Sequence, residues 1–116
     1  MKRRYRLTRT TDFKRVRFSG KSYAHPLVVL VASRNGLDVT RFAVTTGRSV
    51  GKAVQRNRAK RLIRAVLSAY QKSIDSGWDL IFIARVPITE ASYLDVQAAI
   101  ESLLAKAHLI QKVSYG

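Results

Sequence analysis

The sequence predicts one small domain of the α/β class: a two-layer sandwich in which a three- or four-stranded mixed sheet is packed with about three helices. Three observations carry that expectation. Of 116 residues, 47% are hydrophobic and only 6 are Gly and 2 Pro, the composition of a folded chain long enough for one core. The run 27–32 is continuously apolar and rich in branched residues, as a strand buried on both faces is, and the run 78–84 carries Leu80, Ile81, Phe82 and Ile83 in succession. Two further segments repeat their apolar residues at helical spacing.

The elements follow in order. The first ten residues carry Lys2, Arg3, Arg4, Arg6 and Arg9 with no apolar period, and are expected to form a basic, flexible arm that orders on a partner. Thr11 is the expected N-cap of a short helix over residues 12–18, with Phe13 and Val16 on one face and Gly20 ending it. The run 27–32 is the first strand, or the second if the chain is split at Pro26. Asn35-Gly36 is a hairpin signal, and residues 40–46 then alternate, Phe42 and Val44 on one face and Arg41 and Ala43 on the other. A helix runs from Ala53 to about Tyr70, with Ala59, Leu62, Ile63, Val66, Leu67 and Tyr70 on one stripe. The strand 78–84 closes at Pro87. A last helix starts at Thr89 or Ser92, the latter in capping-box relation to Asp95, and buries Val96, Ala99, Ile100, Leu103, Leu104 and Ala107.

Charge separates the chain into halves. The formal net charge is +15; residues 1–64 hold 18 Lys and Arg against only Asp12 and Asp38, whereas residues 65–116 hold four basic residues against five acidic. A chain that concentrates self-repulsion in one region has a polyanion to offset it, and nucleic acid is the leading candidate. A membrane surface would favour a basic helix backed by an exposed apolar stripe, and the stripes here are needed for a core. The long helix is the focus. Arg56, Arg58, Lys60, Arg61 and Arg64, with Asn57 among them, occupy the circumference outside its apolar stripe, and no acid lies between Asp38 and Asp75. A merely solvated face mixes signs to gain i,i+4 pairs; this one does not.

Several chemistries are excluded or weakened. Without cysteine there is no disulfide, thiolate nucleophile or Cys-based zinc site. No segment approaches a membrane span, and the basic start has no signal-peptide core behind it, so the expectation is a cytoplasmic protein without a membrane partner. The Gly47–Lys52 stretch resembles a phosphate-binding loop but has three residues between its glycines, and Ala53 stands where a metal-binding hydroxyl is required. A glycine turn feeding a helix N-terminus can still meet a backbone phosphate, helped by Arg48 and Lys52. His25 and His108 are read as structural or exposed, and Asp12 and Asp38 lie in different elements, so no metal ligand or catalytic residue is assigned.

Residues 48–64, Arg-Ser-Val-Gly-Lys-Ala-Val-Gln-Arg-Asn-Arg-Ala-Lys-Arg-Leu-Ile-Arg, closely resemble the signature of the bacterial ribonuclease P protein component, with Arg56-Asn57-Arg58 at its centre. The resemblance extends to the basic start, Thr10-Thr11-Asp12-Phe13, Gly20 and the strand Asp79–Arg85. It implies a small basic subunit that joins a much larger catalytic RNA and acts with Mg²⁺ to remove the 5′ leader of precursor tRNA, the RNA carrying the catalysis and no obligate protein partner being needed. It also implies a left-handed crossover around the basic helix, where the generic rule gives the opposite hand. Carried onto matching positions, Arg48, Lys52, Arg56, Asn57, Arg58, Lys60, Arg61 and Arg64 would contact the catalytic RNA or help organise metal near it, and Phe13 and Arg17, with the facing sheet residues near Val31, would border a cleft for the leader. Arg17 stands where the family often has an aromatic, and Val31 where a tyrosine can occur. The alternatives are a ribosomal or other structural RNA-binding protein, against which the Arg-Asn-Arg frame decides, and a helix-turn-helix DNA binder, against which the strand preceding the basic helix decides.

Overall fold

The structure, a computed structural model, describes residues 2–110; Met1 at the tip of the expected arm and residues 111–116 lie outside it. The elements are α1 (Thr10–Ser19), β1 (Lys21–Ala24), β2 (Val28–Arg34), β3 (Arg41–Thr46), α2 (Ala53–Tyr70), β4 (Trp78–Ala84) and α3 (Tyr93–Lys106). The sheet has the order β1-β2-β4-β3, with β1 and β4 antiparallel to β2 and β3 parallel to β4. The chain does split around Pro26, giving four strands.

The expected hairpin between β2 and β3 does not form, because β4 lies between them. Physical reasons are visible in both parts. Leu80, Ile81 and Phe82 are fully buried, so β4 is apolar on both faces and belongs at the centre of the sheet. Asn35 serves the loop instead of a two-residue turn: its N–H donates to the Gly77 carbonyl at 3.0 Å and its amide to the Val39 carbonyl at 2.9 Å.

One face of the sheet carries the main core. Leu30, Leu80 and Phe82 meet Ile63 and Leu67 of α2 and Ile100 and Leu104 of α3, all fully buried. The helix α3 begins as expected, Ser92 Oγ accepting from the Asp95 N–H at 3.1 Å while Asp95 accepts from the Ser92 N–H at 2.9 Å. To this pair of layers α1 adds partial cover on the opposite face, where Leu7, Val16, Val31 and Ile81 form a smaller cluster. Helix α1 starts two residues early, at Thr10, with Arg9 and not Thr11 at the N-cap position and no side-chain cap.

The basic arm is partly docked within the fold. Residues Arg3–Tyr5 form a 3₁₀ turn, Arg6 bridges to Phe42, and the Leu7 N–H donates to the Phe42 carbonyl at 2.7 Å. Burial of Leu7 accounts for this: an apolar residue inside the charged run fixes residues 6 and 7 along β3 without any partner.

Gly20 ends α1 for a steric reason. Its φ of −76° suits any residue, but a Cβ there would run into the Val16 carbonyl oxygen and lie 2.8 Å from Val31 Cγ1. Gly20→Ala, which on chain entropy alone would stabilise slightly, is therefore expected to destabilise by about 2 kcal/mol through overpacking. Denaturant titration checks the sign; a gain in stability would show that α1 lifts freely from the sheet.

Candidate nucleic-acid interface

Helix α2 is the expected one from end to end. Ala59, Ile63, Val66 and Leu67 are buried and Leu62 and Tyr70 pack beside them. At 100° per residue, Asn57, Lys60, Arg61 and Arg64 recur at i, i+3, i+4 and i+7 and form one continuous outward stripe. Asn57, Arg61 and Arg64 are exposed and Lys60 is half-buried. Arg58 lies on the other flank, where its guanidinium donates to the Ala91 carbonyl at 2.9 Å and ties α2 to the start of α3. Arg56 is half-buried at the end of the apolar stripe, and its Nε is enclosed with no hydrogen-bond partner among the described residues. The eight basic-face positions thus do unequal work: four form an open stripe, and Arg56 and Arg58 are partly engaged by the fold.

Arg48 and Lys52 are exposed at the N-terminal end of the same helix. Arg48–Val50 is a 3₁₀ turn pinned by buried Val50, and Gly51 turns the chain at φ 139°, a conformation that L side chains rarely adopt. The Lys52 N–H donates to Gln55 Oε1 at 2.7 Å, so one of the groups expected to meet a phosphate is already satisfied. The loop is a short positive entry to α2, with the helix dipole adding to the two side chains, and not a cradle of free N–H groups.

The face on which the leader cleft is expected is the opposite side of the sheet. Register places three rows across it: Ser33, Asp79 and Arg41; then Ser22, Val31, Ile81 and Ala43; then Ala24, Val29, Ile83 and Thr45. Helix α1 covers the middle row. Val31, only 4% exposed, is closed over and cannot border an open cleft, contrary to expectation. Val16 and the close approach at Gly20 seal it. Phe13 is half-buried and packs against the cluster of Leu7, Val16, Val31 and Ile81, as Val29, Ala43 and Ile83 also do, and Arg17 is exposed on the helix above.

The first row holds a feature that residue patterns missed. Asp79 is fully buried and receives Arg41 Nε and Nη2 at 2.8 Å each, Asn35 Nδ2 at 3.0 Å and Arg15 Nη2. Asp12 adds a looser contact to Arg41 at 3.5 Å. Burial alone would raise the Asp79 pKa, but the donors from Arg41, Asn35 and Arg15 outweigh it and hold the carboxyl below its ordinary value; the same pairing raises Arg41. The signal was present as one acid inside an otherwise apolar strand. Two of the cations counted toward a polyanion, Arg15 and Arg41, are thereby committed to the fold.

His25 Nδ1 accepts from the Leu27 N–H at 3.1 Å, a structural role, and burial lowers its pKa. No group of three or more His, Asp or Glu among the described residues is arranged to hold a metal ion, and no described helix is long and apolar enough to cross a membrane.

Comparison with known proteins places this arrangement. The family model described as Ribonuclease P matches residues 1–108. A ribonuclease P protein component from Dehalococcoides mccartyi is 36% identical over 114 residues, covering 98% of this chain and 93% of that protein. One from Herpetosiphon aurantiacus is 38% identical over 109 residues, covering 94% of this chain and 89% of that protein. Among solved structures, the RNase P protein of Staphylococcus aureus superposes with a TM-score of 0.84 at 30% identity, covering 92% of this chain and 98% of that one. That of Thermotoga maritima gives 0.79 at 28% identity, covering 87% and 96%. With the family model matching nearly the whole chain and relatives above 30% identity covering it, the chain belongs to the bacterial ribonuclease P protein component family.

Proposed function

We propose that this ribonuclease P protein component, a subunit that acts with RNA in tRNA 5′ processing, holds the catalytic RNA on the outward stripe of α2 and receives the 5′ leader of precursor tRNA in the cleft beside α1. The observation that carries the first part is the Asn57, Lys60, Arg61 and Arg64 stripe, exposed or half-exposed and free of any acid from residue 39 to residue 74. Arginine's planar fork suits phosphate, and each neutralised phosphate releases counterions. Arg48 and Lys52 extend the same positive field to the start of the helix.

The second part rests on Phe13 and Arg17 above the half-open row Val29, Ile83 and Thr45. An apolar floor with one aromatic and one cation at its rim fits a single strand whose phosphate meets Arg17 while a base lies against Phe13. With Val31 covered, backbone attraction weighs more than stacking within the cleft.

The reaction requires Mg²⁺ in this reading, and the protein's residues do not fit it. Asp79 is saturated by arginine and asparagine donors, Asp12 faces Arg15 and Arg41, and among the described residues no group of three or more His, Asp or Glu is arranged to supply an octahedral oxygen site. The metal belongs with the RNA's phosphates, and no step is assigned to the protein through it.

Cleavage of precursor tRNA at low Mg²⁺ by a bacterial ribonuclease P RNA, with and without the protein and beside a protein-only lane, tests the reading. The expected result is RNA-dependent cleavage at the mature 5′ end, strengthened by the protein. Binding without effect on cleavage would favour a purely structural RNA-binding role, and activity of the protein alone would overturn the division of labour.

A further inference from the structure

Phe18 is the most exposed large apolar side chain among the described residues, at 94%, whereas Phe42 and Phe82 are buried and Phe13 is half-buried. Single exposed apolar residues are ordinary on protein surfaces, so exposure alone argues little. Its position argues more. Turning about 100° per residue from Phe13 at the cleft edge, the surface of α1 presents Arg17 first, then Lys14, then Phe18 on the outer side. All three are exposed. The one acid of α1, Asp12, lies on the opposite flank and faces Arg15 and Arg41. A continuous path without negative charge therefore leads from the cleft, over two cations, to an aromatic ring about 7.5 Å further along the helix axis. Val54 and Leu94, the next most exposed apolar side chains, have no ring on which a base could stack.

We propose that Phe18 is a stacking platform for an unpaired base of the leader, with Lys14 and Arg17 carrying the backbone from the cleft round to the outer face of α1. The inference rests on leader binding in the cleft and extends that path by a few nucleotides. A ring face, a polyanion's charge partners and open access are the three requirements of sequence-tolerant single-strand binding, and this strip of α1 supplies all of them. A protein partner would also use an exposed ring, but the flanking Lys14 and Arg17 favour an anionic strand over an apolar surface.

The test uses the holoenzyme reconstituted with a bacterial ribonuclease P RNA and two precursor tRNAs, one with a long leader and one with a leader of a single nucleotide. Phe18→Ala and Phe18→Leu are expected to weaken long-leader binding about tenfold and leave the short-leader precursor unchanged, while Phe18→Trp retains wild-type binding. Because the side chain touches almost nothing, all three variants keep the fold. Equal binding by Phe18→Leu and wild type would overturn the platform, as would equal losses on both leaders, which would move the ring's contact to the catalytic RNA. If the wild-type holoenzyme itself binds both precursors alike, leader binding in the cleft fails first, a result read without any variant.

Discussion

Reversing Arg61 and Arg64 together to Glu is expected to weaken binding of ribonuclease P RNA by roughly a hundredfold or more near physiological salt, and to flatten its salt dependence by about two in the log–log slope. Both side chains are exposed on the outward stripe of α2, so stability should move by no more than about 0.5 kcal/mol. The pair is a sharper choice than any including Arg56, whose half-buried guanidinium would be replaced by a carboxylate against the core stripe. It is sharper than Arg58 as well, since losing that residue's bond to the Ala91 carbonyl mixes helix packing with RNA contact. Binding isotherms over a range of salt concentrations provide the readout. An unchanged slope in a folded variant would remove the stripe from the interface and shift it to Arg48, Lys52 or the N-terminal cations.

What the sequence disclosed and what it withheld divide along physical lines. The limits of α2 were legible because an eighteen-residue amphipathic helix repeats its signal five times over. Strand order was not. Apolar runs say that a strand is buried and not which strand lies beside it, and Asn35-Gly36 promised a hairpin that the more apolar β4 displaced. The edge strand β1 hid because Lys21–Ala24 is mostly exposed and contributes only Tyr23 to the core. Counting cations located the charge in one half of the chain but could not separate Arg61 and Arg64, which face outward, from Arg15 and Arg41, which face Asp79. On the face expected to receive the leader, Phe13 is half-buried and Arg17 exposed, whereas Val31 is closed over. The covering of that row depends on how closely Gly20 lets α1 approach, which no residue count reveals.

Asp79→Asn is expected to destabilise the protein by roughly 3 kcal/mol at neutral pH, lowering Tm by about 10 °C. The substitution removes the charge that Arg15 and Arg41 share and points amide hydrogens at a guanidinium. Both arginines keep some access to water, at 38% and 21% exposure, which holds the loss near the lower end for a broken buried pair. Its pH dependence is distinctive. The folded-state pKa of Asp79 is depressed, so its contribution is complete above the ordinary carboxylate pKa and is lost as pH falls through the lower folded value. The stability gap between wild type and variant should therefore stay level from pH 7 to about 5 and close below about 4. Urea titrations at a series of pH values measure that gap directly; one that persisted at low pH would mean that the loss comes from packing and not from the carboxylate. The same clamp bears on function, because Asp79 joins α1, through Arg15, to β3, through Arg41. Loosening it frees the helix that carries Phe13, Arg17 and Phe18, so a folded Asp79→Asn protein should lose leader discrimination while keeping its grip on the catalytic RNA, whose proposed stripe lies on α2 across the sheet.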